Sequence, residues 1–180
     1  MTIDPFWVQV NEPTLRQGDY LPGCLVPVPL FDPTTFGKKA DETQEVEVIV
    51  NEIDLIVVTQ SCDLENKKVS QVVVCAIYLI SEFEEANPAF TKKGKWNEVL
   101  AGRVEGLHIL ASPTNPDNNR EALVVNFREI YSLPYEYILK YATNMDYRWR
   151  LKSPYLEHFS QAFARLFMRV GLPSSIPRFG

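Results

Sequence analysis

The fold is decided by Asp54-Leu-Ile-Val-Val-Thr-Gln-Ser-Cys-Asp-Leu-Glu-Asn-Lys-Lys-Val-Ser-Gln-Val-Val-Val-Cys-Ala-Ile-Tyr-Leu-Ile80. Two apolar runs, Leu55–Val58 and Val72–Ile80, flank a polar connector that begins at Thr59. Both runs are short and rich in β-branched residues, whose side chains pack well on a pleated surface, so both are expected to be strands. A strand that stops at Thr59-Gln60-Ser61-Cys62-Asp63 delivers small or polar side chains to the rim of a sheet. Such rims are where a rigid scaffold can hold chemistry within reach of water and ligand.

Upstream of that pair, Met1–Glu12 reads as an extended arm anchored by Phe6, Trp7, Val8 and Val10. Gly18 and Gly23 suit tight bends, and Pro27 and Pro29 confine Leu25–Leu30 to an edge strand or extended segment. Phe31–Thr43 has the composition of a surface loop. The alternation Val46-Glu-Val-Ile-Val-Asn51 predicts a half-exposed strand, with Asn51–Asp54 as a hairpin turn into Leu55.

Downstream, residues 81–106 are charged and only sparsely apolar, and are expected to form an insertion across one sheet edge. It contains one helical turn at Glu82–Ala86 and a short helix from Trp96 to Gly102. Leu107–Ser112 and Ala122–Phe127 are expected strands around a Pro/Asn/Asp loop, and Pro134–Tyr141 a helix or turn. The last element is a helix with Ser153 as N-cap, Pro154 at its first position, Gly171 as terminator and Pro173 beyond. Its apolar face is Tyr155, Phe159, Ala162, Phe163, Leu166 and Val170.

The expected architecture is therefore α+β: a strongly bent antiparallel β-sheet or SH3-like barrel, an inserted acidic segment and a C-terminal amphipathic helix. One domain spans 1–180, with a β-rich body (1–142) and a basic linker and helix (143–180) packed on it. No apolar run approaches the ~20 residues needed to cross a bilayer. The N-terminus lacks the basic and apolar regions of a signal peptide, so none is expected, and no membrane partner is expected either. Cys24, Cys62 and Cys75 match neither a disulfide framework nor paired zinc spacing, and reduced thiols in a cytoplasm are the expectation. No metal or cofactor is expected. The net charge of −5 is uneven: Asp146–Gly180 holds six Lys/Arg against two Asp/Glu, hence +4, leaving −9 elsewhere. A local anion site on the tail and a negative face for a basic partner both fit that split.

The order of pieces resembles the PemK/MazF-like toxins of bacterial toxin–antitoxin systems, small SH3-like barrels. The similar segments are Gln17-Gly-Asp-Tyr, Leu55-Ile-Val-Val-Thr-Gln, Val72-Val-Val-Cys-Ala-Ile and Ala122-Leu-Val-Val-Asn-Phe-Arg-Glu-Ile-Tyr-Ser-Leu, 28 of the 180 residues, spread between Gln17 and Leu133. That family cleaves RNA with an Arg just before the Leu-Val-Ile strand and a Ser or Thr after the following strand. Those positions fall near Asp54 and Tyr78–Ser81 here, so the Arg is missing. Without a cation to stabilise charge on the phosphate, the ribonuclease mechanism lacks its electrostatic component. The resemblance implies the fold, and a module that binds RNA, DNA or a partner protein in a toxin–antitoxin or phage-defence locus, with a homodimer as one assembly.

Three sets of residues are candidates for function. Cys62 could act as a nucleophile of a hydrolase or nuclease, with His108 or His158 as base and Gln60 or Asp63 orienting it; the alternative is a small residue in a turn with Asp63 capping backbone N–H groups. Arg148 and Arg150, in Tyr147-Arg-Trp-Arg-Leu-Lys152, suit nucleic acid beside aromatic rings, or else pair with the acidic body. His158, Arg165 and Arg169 fall on one helical stripe that could grip an anion or lie as a solvated flank. With Thr59, Gln60 and Ser61 of the rim, they make up the expected ligand-binding set. A structural protein interacting through its acidic face is the remaining alternative.

Overall fold

The computed structural model describes residues 6–30 and 47–168. The expected loop at Phe31–Thr43, the first residues of the arm, and Arg169, Val170, Gly171 and Pro173 lie outside those residues. In chain order the elements are β1 (Trp7–Val10), β2 (Asp19–Pro29), β3 (Val48–Val57), α1 (Ser61–Glu65), β4 (Gln71–Leu79) and α2 (Ile80–Ala86). They continue with α3 (Lys95–Leu100), β5 (Leu107–Leu110), β6 (Leu123–Pro134), α4 (Tyr135–Thr143), β7 (Arg148–Leu151) and α5 (Tyr155–Phe167). The fold is α+β, with an antiparallel sheet in the order β1-β7-β2-β3-β4-β6-β5.

The two apolar runs are strands β3 and β4, adjacent in the sheet and paired from Leu55↔Ala76 to Val57↔Val74. Leu55 and Val57 face one core with Val72 and Val74, while Ile56 and Val58 face another with Cys75 and Ile77. Both faces are covered at this point, which is why the runs read as continuous apolar stretches rather than alternating ones. Helix α4 covers the first face through Tyr135, Ile138 and Ala142. Helix α5 covers the second, with Phe159 fully buried and its ring 5.5 Å from Phe127.

The sheet coils until its two edges meet. Trp7, on edge strand β1, donates from Nε1 to the carbonyl of Ala111, one residue past the opposite edge strand β5, at 2.7 Å. Bulges between Leu21 and Cys24 in β2 and in β6 opposite Cys75/Ala76, where the partner changes from Ile130 to Asn126, add the bend. Gly23 sits in the first of these at φ +64°, a conformation open to glycine but costly for a side chain. No backbone ladder joins β1 to β5, so the barrel is not closed.

Two expectations are corrected. Asn51–Asp54 is not a hairpin turn: β3 runs unbroken through it, paired with β2 from Tyr20↔Ile56 to Pro29↔Val48. The segment has no glycine for the positive φ that a tight hairpin needs, and Asn51 and Glu52 simply project into solvent. Ser153 is not the N-cap of the last helix. Pro154 holds that position, and Ser153 Oγ instead donates to Glu157 Oε1 at 2.9 Å. The insertion is helical at both expected places, and its Phe83 and Val99, flanked by Phe90 and Trp96, pack with Leu107 of β5 and Val124 of β6.

Candidate functional site

The rim turn is held from within. Thr59 Oγ1 accepts the Val73 N–H at 2.7 Å, and Ser61 Oγ accepts the Gln17 N–H at 3.1 Å. Gln17 answers by donating from Nε2 to the Val58 carbonyl at 2.9 Å. Thr59 and Ser61 thus tie the end of β3 to β4 and to the Gln17-Gly18 bend. Ser61 opens the short helix α1, so Cys62 and Asp63 sit on a first turn rather than in an open loop.

Cys62 is exposed, whereas Cys24 and Cys75 are buried. Its sulfur lies 3.7 Å from Gln60 Oε1 and 3.8 Å from Asp63 Oδ1, both acceptors that a thiol meets as a donor. Neither histidine is among these contacts: His108 and His158 line a cleft whose walls do not include Cys62. Burial pushes the Cys75 thiol up to about 12, helped by the Glu129 carboxylate, and raises that of Cys24 against a weaker opposing hydrogen bond from Tyr137.

Arg148 and Arg150 are buried on β7, with their guanidinium groups turned inward. Asp19, fully buried, accepts from Arg148 Nε at 2.8 Å and from Arg150 Nε at 2.5 Å and Nη2 at 3.0 Å. Arg148 also donates to the carbonyls of Glu12 (3.0 Å) and Thr14, and Arg150 to the Glu12 carboxylate and the Thr14 carbonyl (3.1 Å). The hydrogen bond from Arg150, outweighing the opposing effect of burial, holds the Glu12 carboxyl below its ordinary value. This cluster pins the 12–19 segment to β7. Sequence reading singled out the arginines but not Asp19, whose role shows only once the strands are paired.

The structure does bring together three other candidates. His108 from β5 and His158 and Arg165 from α5 line one cleft of about 360 Å³, with Gln161 between them on the helix. The 99–106 segment of the insertion closes the other side. His108 packs against the rings of both Phe127 (6.0 Å) and Phe159 (6.1 Å). Burial, with a smaller contribution from the charge of His158, pulls its imidazole down to about 4. It is therefore neutral near pH 7, and can donate from one nitrogen and accept at the other. His158 and Arg165 are exposed. Arg165 forms no ion pair with the described residues. Glu105 is the carboxylate on the cleft wall. Gln161, three residues beyond His158, lies on the stripe already marked by His158 and Arg165, and that spacing was the signal for it.

Among the described residues no group of three or more His, Cys, Asp or Glu is placed to hold a metal ion, and no helix is long and apolar enough to cross a membrane. No protein-family model matches the chain, and no curated protein matches its sequence.

Proposed function

We propose that this protein is a non-catalytic binding module of PemK-like type, its bent sheet a variant of the SH3-like architecture, serving a bacterial toxin–antitoxin or phage-defence locus. It grips the phosphate backbone of an RNA or DNA strand in the cleft between β5 and α5. The observation that carries this reading is the convergence of His108, His158, Gln161 and Arg165 on that cleft. One guanidinium supplies charge, and imidazole and amide N–H groups supply directional donors to phosphate oxygens. Support for a non-catalytic role comes from Asp54, which stands where the resemblance would put the catalytic Arg. Its carboxylate accepts from the Tyr20 hydroxyl and, at 2.7 Å, from the Gly23 N–H. An acid so placed repels the charge that phosphoryl chemistry builds up.

The test is fluorescence anisotropy of a labelled single-stranded RNA titrated with the protein at rising salt. Saturable binding is expected, weakening with salt at a log–log slope of about −0.7 per phosphate neutralised. Arg165→Ala should flatten the slope by about that one increment, and His158→Ala should weaken binding. Binding that ignores salt, or that both variants leave unchanged, refutes the proposal. A cysteine-dependent hydrolase draws support from one observation, the exposure of Cys62. It would have to work without a histidine in contact with the sulfur.

A further inference from the structure

A second cleft, lined in part by Arg148, differs in chemistry from the first. It holds about 530 Å³ between β2, β7 and the 112–121 segment. Three aromatic side chains line it: Tyr20, Tyr147 and Trp149. Two carboxylates, Asp54 and Glu121, line it as well, and apolar side chains such as Leu123 and Met145 complete the wall. A third acid, Glu82, lies near enough to act on the Tyr20 phenol.

The acids are fixed in place rather than free to swing. Asp54 is held by Tyr20 and Gly23, and Glu121 Oε1 accepts from Asn115 Nδ2 at 3.1 Å and Asn118 Nδ2 at 2.7 Å. Burial, then the Asp54 carboxylate, pushes the Tyr20 phenol up, so it stays protonated and keeps donating to Asp54. The one cation on the wall is Arg148, and its guanidinium is bonded to Asp19 and to the carbonyls of Glu12 and Thr14. Its charge is compensated by the Asp19 carboxylate. The wall thus carries two carboxylates against one arginine that is already paired with Asp19, beside aromatic rings.

We propose that this cleft binds a substituted ammonium group. Aromatic rings attract a cation through their quadrupole, carboxylates add Coulomb attraction, and an apolar wall suits N-methyl groups better than a hydrated primary amine. The site is independent of the anion cleft and stands whether or not that cleft binds nucleic acid. A free quaternary amine and a methylated lysine side chain present the same head, and the experiment separates them.

The probes are choline, its neutral isostere 3,3-dimethyl-1-butanol, and N-acetyl-trimethyllysine amide, each titrated against the full chain. The readout is the indole N–H resonances of the three tryptophans, assigned through Trp149→Phe and Trp96→Phe. Choline is expected to shift the Trp149 signal saturably while Trp96, which lies in the insertion, stays still. The isostere should bind at least about tenfold more weakly, the factor expected for a desolvated cation–π contact. Tyr147→Ala, at an exposed position, and Glu121→Gln, at a half-buried one, should each weaken choline at least about threefold. Tighter binding of the lysine derivative than of choline would assign the site to a modified side chain, and the reverse to a free amine. Equal binding of choline and its isostere, or no saturable shift of Trp149 with either cation, overturns the proposal.

Discussion

Replacing Asp19 by Asn tests what holds β7 in the sheet. Asp19 is fully buried and accepts three hydrogen bonds from two guanidinium groups, plus the Arg16 N–H at 3.0 Å. Asparagine keeps the shape but removes the charge and places an NH₂ donor among donors. Two buried cations are then left with the single carboxylate of Glu12. Removing one partner of a buried ion pair costs about 3–5 kcal/mol. Here the lower end applies, because both arginines retain the Thr14 carbonyl and Arg148 that of Glu12. With a urea m-value of about 2 kcal/mol/M for a chain of this size, the midpoint should fall by about 1.5 M at unchanged m. A loss below about 1 kcal/mol would refute the claim that Asp19 neutralises the pair. The apolar triple variant Asp19→Leu/Arg148→Met/Arg150→Leu should regain much of the loss, since it leaves no buried charge from the triad uncompensated. It should also leave RNA affinity intact. If affinity fell with it, the arginines would be reaching ligand and not only Asp19.

Three further outcomes are expected. His108 has its pKa at about 4 in the folded protein, below the ordinary 6.5, so between those values the unfolded chain binds a proton that the folded chain does not. Stability should therefore rise with pH across that window and level off above it, by on the order of 3 kcal/mol at most, and His108→Phe should remove this slope in urea titrations at each pH. Ellman's reagent should titrate one thiol per native chain and all three in denaturant, and Cys62→Ser should abolish the native signal; rapid native labelling of Cys24 or Cys75 would contradict their burial. Gly18→Ala should destabilise by more than about 1 kcal/mol in thermal or urea melts, because φ there is +81° and a Cβ would stand 2.9 Å from Leu156 Cδ1 and 3.0 Å from Leu151 Cβ.

How much of this could be read from the chain depended on how local each cause was. Leu55–Val58 and Val72–Ile80 announce themselves because burial on both faces leaves a continuous apolar signature. The apolar stripe of α5 is equally local, since helical spacing alone puts Phe159, Ala162, Phe163 and Leu166 on one side. Asn51–Asp54 misled because polar residues mid-strand look like a turn until the partner strand is known to run alongside them. The same limit governs the site. His158 and Arg165 share a helix, so their alignment follows from 3.6 residues per turn. His108 joins them only through the placement of β5 beside α5, and Cys62 is kept apart from both by the same topology. Neither relation has a sequence signal.

Charge shows why a residue count cannot replace the structure. The tail from Asp146 onward carries six Lys/Arg, which by itself would predict a steep salt dependence for any nucleic-acid contact. Yet Arg148 and Arg150 have their hydrogen bonds directed to Asp19, Glu12 and Thr14, and they face the body that the count treats as their counterweight. The +4 of the tail and the −9 of the remainder are partly one internal neutralisation counted twice. Of the cations in this part of the chain, Arg165 is the one the described structure places on the wall of the cleft that His108 and His158 line. Anion binding through that cleft should thus follow a slope near that of one or two phosphates, about −1. A slope near −4 would mean that the whole basic tail engages the ligand, and that β7 must leave Asp19 to do it.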